Sequence, residues 1–269
     1  MSNEIPPLPG SPDAPVQTSL AARLTNVILA PGEVFAEVKA SPICHANWLV
    51  GALIFVLLSW CAAGVMFTQE PIKQQMTDMQ DQALQKRFQK EINAGKMTQA
   101  KVDQMKAGVA KFGSVGIVVA GVVGPVFGAA LAPFLGGFIL WAVGTLIFRK
   151  SFPYMKGVEA SGLTLVVAGL GALVKGLICA ALGTMFTSPG LVLLVKPYDP
   201  ANLLHTFLLT FDAFAIWGMV LSGIALAKLS EVSFVKAFVW VVGISVVITG
   251  GLLTFAWALQ RLSERLTGG

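Results

Sequence analysis

The stretch Leu49-Val-Gly-Ala-Leu-Ile-Phe-Val-Leu-Leu58 contains no polar side chain and decides the fold class of this chain. A bilayer core about 30 Å thick needs about 20 apolar residues as helix, because a helix satisfies its own backbone hydrogen bonds in lipid. Five apolar segments are long enough to meet this need, and they cover residues 48–67, 115–148, 160–187, 203–227 and 235–259. The sequence therefore predicts an all-α, polytopic membrane protein with a five-helix transmembrane bundle.

The composition narrows the class of function. The chain is 55% hydrophobic and 12% charged, whereas a soluble domain carries about 25% charged residues. Its net charge of +5 lies mostly outside the apolar segments, which indicates contact with lipid headgroups and no binding of nucleic acid. No cysteine pair has metal-ligand spacing, and no Ser-His, paired-Asp or His-Glu-x-x-His arrangement is present. We therefore expect no cofactor, no metal and no enzymatic activity.

The first 47 residues divide into a tail and two short helices. Residues 1–19 are rich in Pro, Ser and Asp, so we expect a disordered tail and no cleavable signal peptide. Residues 20–47 show helical apolar spacing, and Pro31 suits the first turn of the second helix. Such amphipathic helices either lie in the membrane interface or pack against the protein's own bundle.

Residues 68–114 form the only long polar region between apolar segments and predict a helical hairpin. Asn93-Ala94-Gly95 resembles a helix stop, and Thr98 resembles the N-cap of a second helix that runs through Lys111. The region carries eight Lys and Arg residues against five Asp and Glu residues. It is either a solvated hairpin or a surface that docks a partner or anionic headgroups.

The second apolar segment, 115–148, is too long for one straight span and too short for two. Pro125 and Pro133 interrupt it, so we expect a bent helix whose membrane portion covers 122–148. Three small-residue pairs have the spacing of tight helix packing: Gly124 with Gly128, Gly218 with Ser222, and Gly223 with Ala227.

The orientation follows from the distribution of basic residues. Five spans place the two termini on opposite sides, and an inner N-terminus leaves seven Lys and Arg residues in short inner segments against three in short outer ones. The eight basic residues of 68–114 reverse this count, but long loops weigh less in the positive-inside rule. We therefore expect a cytoplasmic N-terminus and an exterior C-terminal tail at 260–269.

Two charged residues, Lys175 and Asp212, lie within predicted spans and form a candidate intramembrane polar site together with Thr184 and His205. Ionisable groups at this depth are a functional hypothesis by default. At 1.5 Å of rise per residue, their antiparallel spans place both at a similar depth, so a Lys175–Asp212 ion pair is feasible. In the alternative, Lys175 extends to the headgroups while Asp212 binds hydroxyls such as Thr210 or Thr184.

Two further ionisable residues lie near the ends of predicted spans. His205 belongs to the candidate polar site, but without a second His or Cys at metal spacing we expect an interfacial residue and no ligand role. Glu159, at the inner end of the third segment, is expected to contact Lys156 or Lys150.

Several short motifs follow one another in a distinctive order. Leu24-Thr-Asn-Val-Ile-Leu-Ala-Pro31-Gly-Glu-Val-Phe35 precedes Ser41-Pro42 and the Gly95-Lys-Met-Thr98 step. Around the fourth segment come Asp199-Pro-Ala-Asn202-Leu-Leu and Phe211-Asp212-Ala-Phe214-Ala-Ile-Trp217, followed by Leu221, Gly223 and Leu229-Ser-Glu-Val-Ser233. This order resembles the bacterial branch of the Ypt-interacting-protein (Yip) domain family. The positions that carry the resemblance are Pro31, Phe35, Pro42, Asp212, Phe214, Trp217 and Gly223.

The resemblance implies five spans in the bacterial inner membrane, with a cytoplasmic N-terminus and an exterior C-terminus. Eukaryotic members act in ER–Golgi traffic and contact Rab-type GTPases, but their Asp-Leu-x-Gly-Pro motif survives here only as Gly124-Pro125, so that role is not transferred. The leading hypothesis is a non-enzymatic membrane protein that organises or adapts partners, namely membrane lipid and an unidentified protein. The alternative is a transporter, channel or lipid-translocating protein with a polar path near Lys175 and Asp212. The oligomeric state stays open.

Overall fold

A computed structural model describes residues 18–93, 95, 98–199 and 202–266 of the chain. This described part is helical and contains no β-strand, which confirms the predicted all-α class. The helices are α1 (Leu20–Leu29), α2 (Pro31–Ala40), α3 (His45–Phe67), α4 (Glu70–Asn93), α5 (Gln99–Ala142), α6 (Tyr154–Leu182), α7 (Leu203–Thr210), α8 (Ala213–Ser230) and α9 (Phe234–Leu266). A π-helical turn at Val143–Ile147 follows α5, and a 3-10 turn at Leu191–Leu194 precedes α7.

Within the described residues, five helical segments are long and apolar enough to cross a membrane, so the predicted number of spans agrees with the structure. These segments are His45–Phe67, Gly121–Ile147, Tyr154–Leu182, Ala213–Ser230 and Phe234–Leu259. The largest difference from the sequence prediction concerns the fourth span. The predicted segment 203–227 is interrupted between Thr210 and Ala213, so α7 is a separate short helix and α8 alone forms the span.

Helix α6 is the centre of the bundle and packs against α3, α5 and α8, whereas α9 packs mainly against α8. The α3–α6 contact depends on glycine, since a Cβ atom on Gly51 would lie 2.2 Å from the carbonyl oxygen of Gly162. The sequence predicts close packing at three other small-residue pairs. This prediction is confirmed at Gly223, which lies against Phe238. At Gly124 and Gly218 that prediction is wrong, because an added Cβ would meet nothing within 4 Å there.

The two N-terminal helices pack against the bundle, which is one of the two predicted alternatives. Val27, Phe35 and Val38 are fully buried in the same apolar cluster as residues of α6 and α8. The predicted tail 1–19 is too long by two residues, because Thr18 and Ser19 bind α2 and α1 respectively. Its first 17 residues lie outside the described part of the chain.

The polar hairpin is built from α4 and the first part of α5. Gly95 has φ +68°, the left-handed conformation that glycine adopts without strain, as the helix stop at 93–95 predicts. The prediction of a separate helix that ends at Lys111 is wrong, since α5 continues into the second span and keeps both prolines inside it. Glycines in this region cost a helix only about 1 kcal/mol each, too little to end it. Likewise, α9 extends to Leu266 through most of the predicted tail 260–269.

Candidate functional site

The described structure has polar regions at both ends of the bundle. We call the end covered by α1 and α2 the N-terminal side, and the end that carries α4 the hairpin side. Spans α3 and α6 begin at the N-terminal side, where α8 ends, and α8 begins at the hairpin side. The two ends treat their charged residues differently.

On the N-terminal side, an ion pair joins α1 to α2. Arg23 donates from Nη2 and Nε to Oε1 of Glu37, at 2.9 and 3.2 Å. Thr18 donates to the same carboxylate from its backbone N and its Oγ1, at 2.7 and 2.6 Å. Arg23 is only 5% exposed, so this pair lies within the packed N-terminal region.

The same arginine begins a chain of contacts that reaches α3 and α6. Its Nη1 donates to Oδ1 of Asn47 at 3.3 Å, and Asn47 Nδ2 donates to Oε2 of Glu159 at 2.7 Å. Lys156 Nζ lies 2.9 Å from Glu159 Oε1 and donates to the carbonyl oxygen of Pro42 at 3.0 Å. The predicted contact of Glu159 is therefore made with Lys156. We call Arg23, Glu37, Asn47, Glu159 and Lys156 the charged network.

Within the charged network, the pKa of the Glu37 carboxyl is lowered. Burial tends to raise the pKa of Glu37, but the hydrogen bonds from Thr18 and the charge of Arg23 outweigh it, so that the pKa lies below its ordinary value of 4.5. Desolvation destabilises a buried ion pair, and additional hydrogen bonds to its charged atoms offset this cost. The network therefore fixes α1 and α2 to the bundle, and Asn47, a lone amide near the start of an apolar span, is the link that the sequence analysis missed.

An exposed ion pair adds a second attachment of α2. Lys39 Nζ binds a carboxylate oxygen of Glu231, which follows α8 in the left-handed conformation at φ +53°. The hydrogen bond from Lys39 lowers the pKa of Glu231. Because both side chains are solvent-accessible, this contact contributes less than the buried network.

On the hairpin side, a cavity of about 440 Å³ lies between α6, α8 and α9, and both Lys175 and Asp212 line it. We call it the groove. It follows one face of α6 from Lys175 to Thr164, a length of roughly 16 Å at the helical rise of 1.5 Å per residue. Ser222 of α8 and Ser245 of α9 line its inner part. The two predicted intramembrane charges therefore share one site.

Among the described residues, no ion pair joins Lys175 and Asp212, so the predicted ion pair is not formed. Instead, Asp212 is the N-cap of α8, and its Oδ1 accepts from the backbone N of Phe214 and of Ala215, both at 2.9 Å. The first turn of a helix leaves backbone donors without partners, which a side chain at the N-cap satisfies. Asp212 therefore binds backbone N–H groups in place of the predicted hydroxyls, because α7 ends before this residue and α8 begins after it.

The other two members of the predicted polar site lie outside the groove on the hairpin side, Thr184 in the loop after α6 and His205 on α7. Thr184 Oγ1 accepts from the backbone N of Phe186 at 3.3 Å. His205 Nδ1 accepts from the backbone N of Asp199 at 3.0 Å. Within the described residues, no group of three or more His, Cys, Asp or Glu side chains could hold a metal ion.

The positions of the family pattern have definite structural roles. Pro31 is the first residue of α2, and Phe35 on the same helix is fully buried. The carbonyl of Pro42 binds Lys156, and Asp212 caps α8. The remaining three lie on α8, where Phe214 contacts Gly171, Gly223 contacts Phe238, and Trp217 is 36% exposed. The pattern thus describes how the N-terminal helices and α8 join the bundle.

This arrangement defines a five-span α-helical membrane protein with a docked N-terminal segment. The model of the Yip1 domain matches residues 25–257, which include nearly all of the described helices. The chain therefore belongs to the Yip1 domain family. Comparison with curated proteins and with solved structures gave no match.

Proposed function

We propose that this protein is a non-enzymatic organiser or adaptor of partner proteins in the bacterial inner membrane. The observation that carries the proposal is the continuity of α5, which joins the polar hairpin to the second span. Residues 99–120 of this helix precede the candidate span at Gly121, and 22 residues extend roughly 33 Å at 1.5 Å per residue. A partner bound to this arm would be attached to the bundle by one unbroken helix.

Contacts at the start of α4 support a polar hairpin that is held in a fixed position on the bundle. Gln75 donates from Nε2 to the carbonyl oxygen of Gly183 at 2.6 Å and accepts from the backbone N of Met185 at 3.3 Å. Ile72 is fully buried beside them, while Gln74, Asp78 and Gln82 are exposed. The helix is therefore anchored at its start and presents polar side chains to a partner.

The orientation belongs to the same proposal. The N-terminus faces the cytoplasm, and the hairpin and C-terminus face the exterior. The excess of basic residues in the short segments at the N-terminal side supports this orientation. Cysteine at Gln82 should react with an impermeant reagent in intact cells, and cysteine at Ser11 should not. Labelling at Ser11 alone would reverse the orientation.

A photo-crosslinking amino acid at Gln82 tests the adaptor role. We expect defined protein adducts in native membranes, whereas the same residue at Val247, an exposed apolar position on α9, should give mainly lipid adducts. Lipid adducts at both positions would contradict an organising role for the hairpin.

The groove favours transport or lipid translocation as a second candidate function, because it brings Lys175 and Asp212 to one cavity. Flux into liposomes distinguishes the two functions. A transporter should move its substrate as wild type and lose flux as Asp212→Asn, whereas an adaptor should show no flux in either form.

A further inference from the structure

The groove presents a cation and an anion that do not bind each other. Among the described residues, Lys175 Nζ takes part in no hydrogen bond or ion pair, and the two hydrogen bonds of the Asp212 carboxylate both fall on Oδ1. Charged groups at membrane depth are costly unless they meet a complementary group. A ligand that carries both signs of charge would complement this pair.

The walls of the groove suit an apolar chain. Small residues line its middle, namely Ala168, Gly171, Ala172, Ala215 and Gly218. The hydroxyls of Thr164 and Ser222 donate to carbonyls of their own helices, at 2.7 and 2.9 Å. The donor hydrogens of these two hydroxyls are thus already used. The groove adjoins a smaller cavity of about 110 Å³ through the shared residues Ser222 and Ser245.

The charged and apolar parts of the groove lie at different depths. Asp212 precedes the first residue of α8, and Lys175 lies seven residues before the end of α6 at Leu182, roughly 10 Å along the helix. Ser222 lies ten residues beyond Asp212, roughly 15 Å deeper along α8. A bound molecule would therefore have its charged groups near the hairpin side and its apolar part toward the bilayer centre.

We propose that the groove binds a zwitterionic glycerophospholipid with a phosphoethanolamine headgroup. The phosphate binds the ammonium of Lys175, the primary ammonium of the lipid donates to Asp212 Oδ2, and one acyl chain lies along Gly171 and Gly218. Charge-assisted hydrogen bonds of this kind need an N–H donor, which phosphocholine lacks. This site goes beyond the adaptor function and does not require translocation.

Native mass spectrometry of the full-length protein, purified in mixed micelles with equal amounts of phosphatidylethanolamine, phosphatidylcholine and phosphatidylglycerol, tests the headgroup. Wild type should retain phosphatidylethanolamine preferentially. Asp212→Asn keeps an N-cap oxygen but loses the charge, so this preference should fall about tenfold, with phosphatidylglycerol retained at least as well. Lys175→Met should lose all three lipids. Equal retention of the three lipids by wild type would overturn the proposal.

Two glycine variants test the acyl-chain position. An added Cβ meets nothing within 4 Å at either Gly218 or Gly243, but only Gly218 lines the groove. Gly218→Leu should abolish selective retention, and the matched Gly243→Leu should not change it. Equal effects of the two variants would assign the bound lipid to the general lipid-facing surface. Selective lipid binding without flux into liposomes would support the lipid site and reject translocation. A failure of the photo-crosslinks at Gln82 would contradict only the adaptor proposal.

Discussion

The two ends of this bundle hold their charges in opposite ways. On the N-terminal side, a chain of contacts at 2.7 to 3.3 Å runs from Glu37 through Arg23, Asn47 and Glu159 to Lys156, and most of these residues are buried. On the hairpin side, Lys175 and Asp212 line one cavity without forming an ion pair. The comparison separates charges that hold the fold together from charges that remain available to a ligand.

The largest effect should come from Glu159→Gln. This change keeps an acceptor for Asn47 but leaves the buried ammonium of Lys156 without its carboxylate, at a cost of about 3 kcal/mol, lessened by polar contacts in the membrane-inserted reference state. Thermal unfolding in detergent measures it. Asp78→Asn, the same type of change at an exposed position of α4, is the control, and equal midpoints for both variants would contradict a structural network.

A smaller effect is expected from alanine at the closely packed glycines. At Gly162 an added Cβ would lie 2.3 Å from the Cα atom of Trp48, and overpacking of this kind costs about 1–3 kcal/mol. At Gly218 the same Cβ meets open space, so alanine there should leave stability unchanged or raise it by up to about 1 kcal/mol. The two melting temperatures check this difference, and equal destabilisation would mean that the groove is closed.

The pH dependence of stability should report Glu37. Since its pKa is lowered in the folded state, the group stabilises the fold fully above its ordinary value of 4.5, and this contribution is lost as the pH falls through the lower folded-state pKa. Melting temperatures between pH 7 and pH 3 should decline less steeply for Glu37→Gln than for wild type. Identical acid profiles would exclude Glu37 from the stabilising interactions.

The smallest effect should come from Lys39→Met. Its partner Glu231 is solvent-exposed with 70% of its side chain accessible, and exposed ion pairs contribute little because water and salt screen them. We expect a melting temperature close to that of wild type at physiological salt. A loss as large as that of Glu159→Gln would show that the docking of α2 depends on this surface contact.

Hydropathy predicts the bundle because a membrane span imposes its own length on the sequence. The five spans and the helix stop at Gly95 follow from local composition. The break before α8 does not, since Asp212 lies in an apolar stretch that continues on both sides. In the sequence, a carboxylate that caps a helix looks the same as one buried within a span. The backbone conformation distinguishes them, because it shows where the helix begins.

The charged network could be predicted only in part. The Lys156–Glu159 contact is local, three residues apart on one helix, and residues at this spacing lie on the same helix face. The Asn47–Glu159 contact spans 112 positions and depends on how α3 docks on α6. In sequence, Arg23 is one more basic residue near a membrane, and burial by α1 and α2 is what gives it a structural role.

Double-mutant cycles on the two charge pairs test the central difference most directly. Residues in one network couple by about 0.5–3 kcal/mol, whereas independent sites are additive to within about 0.5 kcal/mol. We predict clear coupling between Lys156→Met and Glu159→Gln, and additive effects of Lys175→Met and Asp212→Asn, in the unfolding of lipid-free protein in detergent. Coupling at Lys175 and Asp212 as strong as that at Lys156 and Glu159 would contradict the account, because the groove would then hold an ion pair of its own.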